Sequence, residues 1–210
     1  MNKAFIFDWS GTLSDNFRCF VKVCALMFKK YGLSPISENE IKLNFDTPYM
    51  KFWNKYLPDQ TQVEHHRIYE KLIHQVDEPR LYPGVENIVR YLNGADYKIF
   101  VLSSDPVSKL MIEVLKSGLE GLFSKIIGGV HDKKETLTSL IKEFKLNKDN
   151  TFYVGDTAGD VVAGKYAGLK TVGISWGFQH KSILTKSKPD FLIDDIIDIK
   201  KIAVKSIADK

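Results

Sequence analysis

The chain has 210 residues, 44% hydrophobic and 27% charged, an ordinary soluble-protein balance with length enough to bury a core as one large domain or two small ones. No apolar run approaches the roughly 20 residues of a membrane helix, the N-terminal stretch is too short for a signal peptide, and Cys19 and Cys24 lie too close for a disulfide framework. The net charge is +4, yet the densest basic stretch (181–201) is broken by Asp190, Asp194, Asp195 and Asp198, so a cytoplasmic protein with neither a membrane nor a nucleic-acid partner is expected.

Ala4-Phe5-Ile6-Phe7 opens the chain as a short apolar run of the kind that forms a buried strand. A helical stretch follows. Residues 17–31 carry apolar positions at helical spacing and stop at Gly32, and 38–43, 49–56 and 63–76 continue the pattern, with Pro35, Pro48 and Pro58 in the loops between. Tyr82-Pro83-Gly84 closes this insertion, and the earlier rhythm resumes at Val85. Strands are expected at 98–102, 151–154 and 171–174, and helices at 107–116, 135–144 and 161–167. The strand runs are continuous rather than alternating, as in a parallel sheet covered by helices on both faces. The expectation is an α/β doubly wound parallel-sheet core, Rossmann-like, with a helical insertion after its first strand.

Chemistry concentrates at the strand ends. Asp8 closes the first strand and enters the loop Trp9-Ser10-Gly11-Thr12, where open α/β sheets bind ligands. Val154-Gly155-Asp156-Thr157-Ala158-Gly159-Asp160 repeats the arrangement with two more acids. Neighbouring strand-end carboxylates repel unless a cation sits between them, and hard oxygen ligands suit Mg²⁺. Leu102-Ser103-Ser104-Asp105 adds hydroxyls and backbone N–H groups suited to a phosphate-like anion, and His131-Asp132-Lys133-Lys134-Glu135 supplies a cation ahead of a helix.

This ordered set resembles the haloacid-dehalogenase-like superfamily, whose members share an Asp-x-x-Gly-Thr loop, a strand-end Ser or Thr, a Lys and a Gly-Asp-x-x-x-Asp signature. The resemblance covers nearly the whole chain. It makes 16–83 resemble a small α-helical cap domain, leaving 1–15 and 84–210 as the core domain. It implies a hydrolase of a small phosphorylated metabolite, monomeric or homodimeric, similar to the phosphoglycolate-phosphatase-like branch. By the same resemblance Asp8 is the nucleophile, and Mg²⁺ is held by Asp8, the Ser10 carbonyl and Asp156, with Asp160 in support. Ser103 and Lys133 contact the transferring group, the Ser104 N–H assists, and Gly11 and Thr12 shape the phosphate loop. Lys134 is the rival of Lys133, because the usual Lys-Pro is absent.

The family's phosphatases carry a second Asp two residues after the nucleophile, as general acid and base. This chain has Ser10 there, and a hydroxyl is a poor proton handler near neutrality. Slowed turnover is therefore expected. Two alternatives stay open: carbon–phosphorus cleavage, since Asp8-Trp9-Ser10-Gly11-Thr12 is similar to the loop of phosphonoacetaldehyde hydrolases, or a binding protein of weak activity. For the former, Pro48 stands where a Schiff-base lysine is expected, with Lys51 one turn away. His65, His66 and His74 read as packing or surface residues rather than ligands, and Asp15 as a helix cap or a hinge residue.

Overall fold

The computed structural model describes residues 2–45, 49–130 and 133–208, so Pro48, His131 and Asp132 lie outside the described residues. Along the chain run β1 (Asn2–Phe7), α1 (Asn16–Lys30), α2 (Glu38–Asn44), α3 (Met50–Tyr56), α4 (Gln62–Ile73) and α5 (Val85–Gly94). There follow β2 (Lys98–Leu102), α6 (Val107–Ser117), β3 (Lys125–Ile127), α7 (Lys133–Phe144), β4 (Leu146–Gly155), α8 (Ala158–Tyr166), β5 (Lys170–Ile174), α9 (Lys181–Ser187), β6 (Phe191–Ile193) and α10 (Asp198–Ala208). No helix among the described residues is long and apolar enough to cross a membrane.

All strand pairings are parallel, in the order β3-β2-β1-β4-β5-β6. Successive side chains of a strand face opposite sides of a sheet, and both sides here are covered. Phe5 and Phe7 join Val101, Phe152, Val154 and Ile174 under α5, α6 and α10. Ala4 and Ile6 join Phe100, Leu102 and Tyr153 under α7 and α8. This is why the strand sequences read as unbroken apolar runs. Two edge strands of three residues each, β3 and β6, escape the sequence pattern, and β4 begins five residues before the expected run.

Strand order reverses between β1 and β4, because the chain winds outward from β1 on one side and from β4 on the other. In open α/β sheets the crevice at such a reversal, beyond the carboxyl ends of the strands, is where ligands bind. Phe7 pairs with Val154 and Val101, so the residues that follow these three strands emerge together.

Helices α1 to α4 share a separate apolar cluster of Phe17, Phe20, Met27, Phe28, Ile41, Phe52, Trp53 and Ile68. The chain enters and leaves them side by side: the Asp15 N–H donates to the Arg80 carbonyl at 2.8 Å, and the Tyr82 N–H to that of Leu13 at 2.9 Å. Phe178, from the loop after β5, inserts into the same cluster. Polar contacts secure that loop: the His180 N–H donates to the Lys42 carbonyl at 3.0 Å, and Gln179 Nε2 to that of Phe45 at 2.9 Å.

Candidate active site

Asp8 lies one residue past β1, its N–H bonded to the Val154 carbonyl at 2.9 Å. Asp156 follows β4, and one oxygen each from Asp8, Asp156 and Asp160 falls within 4.8 Å of the others. All three side chains are buried. The loop after Asp8 must be thin to allow this. Gly11 has φ +81°, and a Cβ there would come within 2.3 Å of Asp156 Oδ2. From the other side, the Phe178 N–H donates to Asp156 Oδ2 at 2.6 Å, and a Cβ on Gly177 would lie 2.3 Å from the same oxygen. Sequence reading did not reach Gly177 or Phe178, which come to Asp156 only through tertiary contact.

Lys133 opens α7 and sends its ammonium between two of the acids, 2.9 Å from Asp8 Oδ1 and 2.7 Å from Asp160 Oδ1. Lys134 turns away, its ammonium 5.6 Å from the centre of the Tyr166 ring. Asp160 has no acceptor capacity to spare. Its Oδ1 takes Lys133 and the Tyr153 hydroxyl (2.9 Å), and its Oδ2 takes the Thr157 N–H (3.1 Å) and hydroxyl (2.6 Å). Thr157 and Asp160 together form the capping box of α8. Asp160 is thus a fixed strut for Lys133. Asp8 and Asp156 accept one such bond each among the described residues, from Lys133 and Phe178.

Electrostatics follow from burial. Desolvation pushes the Asp8 carboxyl up to about 7 against the pull of Lys133, and it raises Asp156 well above the ordinary carboxylate range, with Asp8 adding repulsion. Asp160 stays below that range, because Lys133, Thr157 and Tyr153 outweigh its burial. Ionised together, three buried acids beside one lysine would leave an excess of negative charge. A small hard cation between the open oxygens of Asp8 and Asp156 would remove it, so the donor set fits Mg²⁺.

Ser103 follows β2 and is buried, while Ser104 is exposed. Thr12 is also buried, and its hydroxyl has no hydrogen-bond partner among the described residues. Next to them lies a polar group that sequence reading left without a role. Asp105 Oδ2 accepts from the Ser10 hydroxyl in a short contact and from Ser103 Oγ at 3.0 Å, and its Oδ1 accepts from Lys109 Nζ at 2.7 Å. Burial would raise Asp105, but Lys109 and the two serines hold it below its ordinary value. Other expected features lie apart. Lys51 is exposed on α3, His65 is buried among rings, His66 pairs with Glu70, and Asp15 caps α1 by accepting from the Arg18 N–H.

A family model described as haloacid dehalogenase-like hydrolase matches residues 5–174. A phosphoglycolate phosphatase of Synechococcus elongatus is 26% identical, over 94% of this chain and 95% of its own length. The pyrophosphatase PpaX of Listeria monocytogenes is 24% identical, over 92% and 93%. Among solved structures, a haloacid dehalogenase-like family hydrolase from Streptococcus pneumoniae superposes with a TM-score of 0.83 at 19% identity, covering 96% of this chain and 98% of that one.

Proposed function

The chain belongs to the haloacid dehalogenase-like hydrolase family, and on that premise we propose that it is a Mg²⁺-dependent, cytoplasmic phosphatase of a small phosphorylated metabolite, working through an aspartyl-phosphate on Asp8. The observation that carries the proposal is the strand-end constellation itself. Asp8 lies against Lys133 and within 4.8 Å of Asp156 at the reversal of the sheet, with Ser103 at the adjoining strand end.

In this reading an oxygen of the Asp8 carboxylate attacks phosphorus, forming the covalent intermediate as the leaving oxygen departs. Mg²⁺ held by Asp8, the Ser10 carbonyl and Asp156 would neutralise charge on the phosphoryl oxygens. Lys133 supplies a second, fixed positive charge, and Asp160 keeps it aimed. Ser103 turns its hydroxyl from Asp105 to the phosphoryl group, which also meets the Ser104 N–H and the loop at Gly11 and Thr12. Residues 16–83 act as a cap over this crevice and restrict it to small substrates. Ser10 offers the leaving group no acid, so esters of poorly acidic alcohols react slowly; such assistance is typically worth roughly 10²–10⁴-fold.

The test is a panel of small phosphorylated metabolites assayed with Mg²⁺. Phosphoglycolate and pyrophosphate come first, as the compounds named for the relatives. Hydrolysis of at least one, abolished in Asp8→Asn and by chelation of the metal, is the expected result. No hydrolysis across the panel, or full activity in Asp8→Asn, overturns the proposal.

A further inference from the structure

Resting on the aspartyl-phosphate reading above, we propose that Asp105, acting through the Ser10 hydroxyl, accepts the proton of the water that cleaves the phosphorylated Asp8. The hydrogen-bond directions support this. Asn16 Nδ2 donates to Ser10 Oγ, so the hydroxyl's own proton is free to go to Asp105 Oδ2. Asp105 takes both serine hydroxyls on one oxygen and the Lys109 ammonium on the other, the pattern of an ionised, acceptor-only carboxylate. Its place is fixed at both ends, because its N–H bonds to Ser103 Oγ at 3.1 Å and its carbonyl takes the Gly129 N–H at 2.6 Å. The bond to Ser103 sets it beside the phosphoryl position.

The network also ties α6 to the nucleophile loop. Glu113 lies 3.7 Å from Lys109 and accepts from Trp9 Nε1 (2.8 Å), Ser14 Oγ (3.0 Å) and Asn16 Nδ2 (3.3 Å). Asn16 thus contacts both ends of the array, Glu113 and Ser10. A carboxylate absent from residue 10 is restored beside it by a residue 95 positions along the chain.

The step balances. A water O–H bond breaks and its proton passes to Ser10 Oγ while Ser10 passes its own to Asp105. The water oxygen bonds to phosphorus, and the phosphorus–oxygen bond to Asp8 breaks with its electron pair left on Asp8. Asp105 then releases the proton through Ser10 to the departing phosphate or to solvent. Ser10 meets the reacting water, so Asp105 is a positioning residue in this scheme.

The first half-reaction does not use Asp105, and this separates the two roles experimentally. With p-nitrophenyl phosphate and Mg²⁺, whose leaving group needs no acid, Asp105→Asn should still release one equivalent of nitrophenol per site. It should then stall with a phosphoryl group on Asp8, seen by intact mass, and turn over about 10²-fold or more slowly. Ser10→Ala should behave alike, and the double variant no worse. Ser10→Asp in the Asp105→Asn background should restore turnover. Native turnover in Asp105→Asn or in Ser10→Ala, or loss of the burst together with turnover, overturns the proposal. Native enzyme that hydrolyses substrate while no variant ever carries a phosphoryl group would instead overturn the aspartyl-phosphate reading beneath it.

Discussion

At Gly11 two demands meet: a left-handed backbone conformation with φ +81° and a clearance of 2.3 Å from where a Cβ would stand to Asp156 Oδ2. The conformation alone costs an L side chain about 1–2 kcal/mol, and the close approach displaces a carboxylate needed opposite Asp8. Gly11→Ala is therefore expected to lower the thermal midpoint and to abolish the rise in that midpoint with Mg²⁺ that the proposed site predicts for the native protein. A variant with native stability and an undiminished Mg²⁺ response would refute this account of the loop. Residue-scale legibility was uneven for a physical reason. Asp8, Ser103, Lys133 and Asp156 stand at strand or helix ends, where short motifs show them. Asp105, Lys109, Glu113 and the Phe178 N–H act through contacts between distant segments, which no local pattern encodes.

Among the elements, α4 holds a device of its own. His65 is buried against Trp53 and Tyr49 from the α3 side and Tyr69 on its own helix, with ring centroids 4.7, 5.6 and 5.7 Å away, and both ring nitrogens lack partners among the described residues. Burial, aided by the neighbouring His66, lowers its imidazolium from 6.5 to about 4. Between these values the unfolded chain binds more protons than the folded one. The stability from keeping His65 neutral is therefore present above 6.5 and lost as pH falls towards 4. Thermal melts across that window should show the native midpoint dropping with pH and His65→Phe dropping less steeply. Equal slopes would contradict the assignment. The helices at 17–31, 38–43, 49–56 and 63–76 were legible from their spacing, although α4 stops at Ile73, but the ring cluster was not, because it depends on how separate helices meet.

For the whole molecule, the order β3-β2-β1-β4-β5-β6 brings three strand ends to one crevice, and that crevice is what makes scattered motifs a site. The four apolar runs indicated a parallel sheet because both faces are covered. The edge strands β3 and β6 are three residues long and only partly buried, so their sequences carry too little pattern to be seen. The paired crossings at Leu13–Asp15 and Arg80–Tyr82 mark where the chain enters and leaves helices α1 to α4. In the proposed mechanism a phosphoryl group passes to Asp8 in this crevice. The most direct test of that transfer is rapid acid quench during turnover with Mg²⁺, followed by borohydride reduction, which converts an aspartyl-phosphate to homoserine. Homoserine is expected at position 8, rising to near one per chain in Asp105→Asn; turnover without homoserine at that position would show that no aspartyl-phosphate forms there.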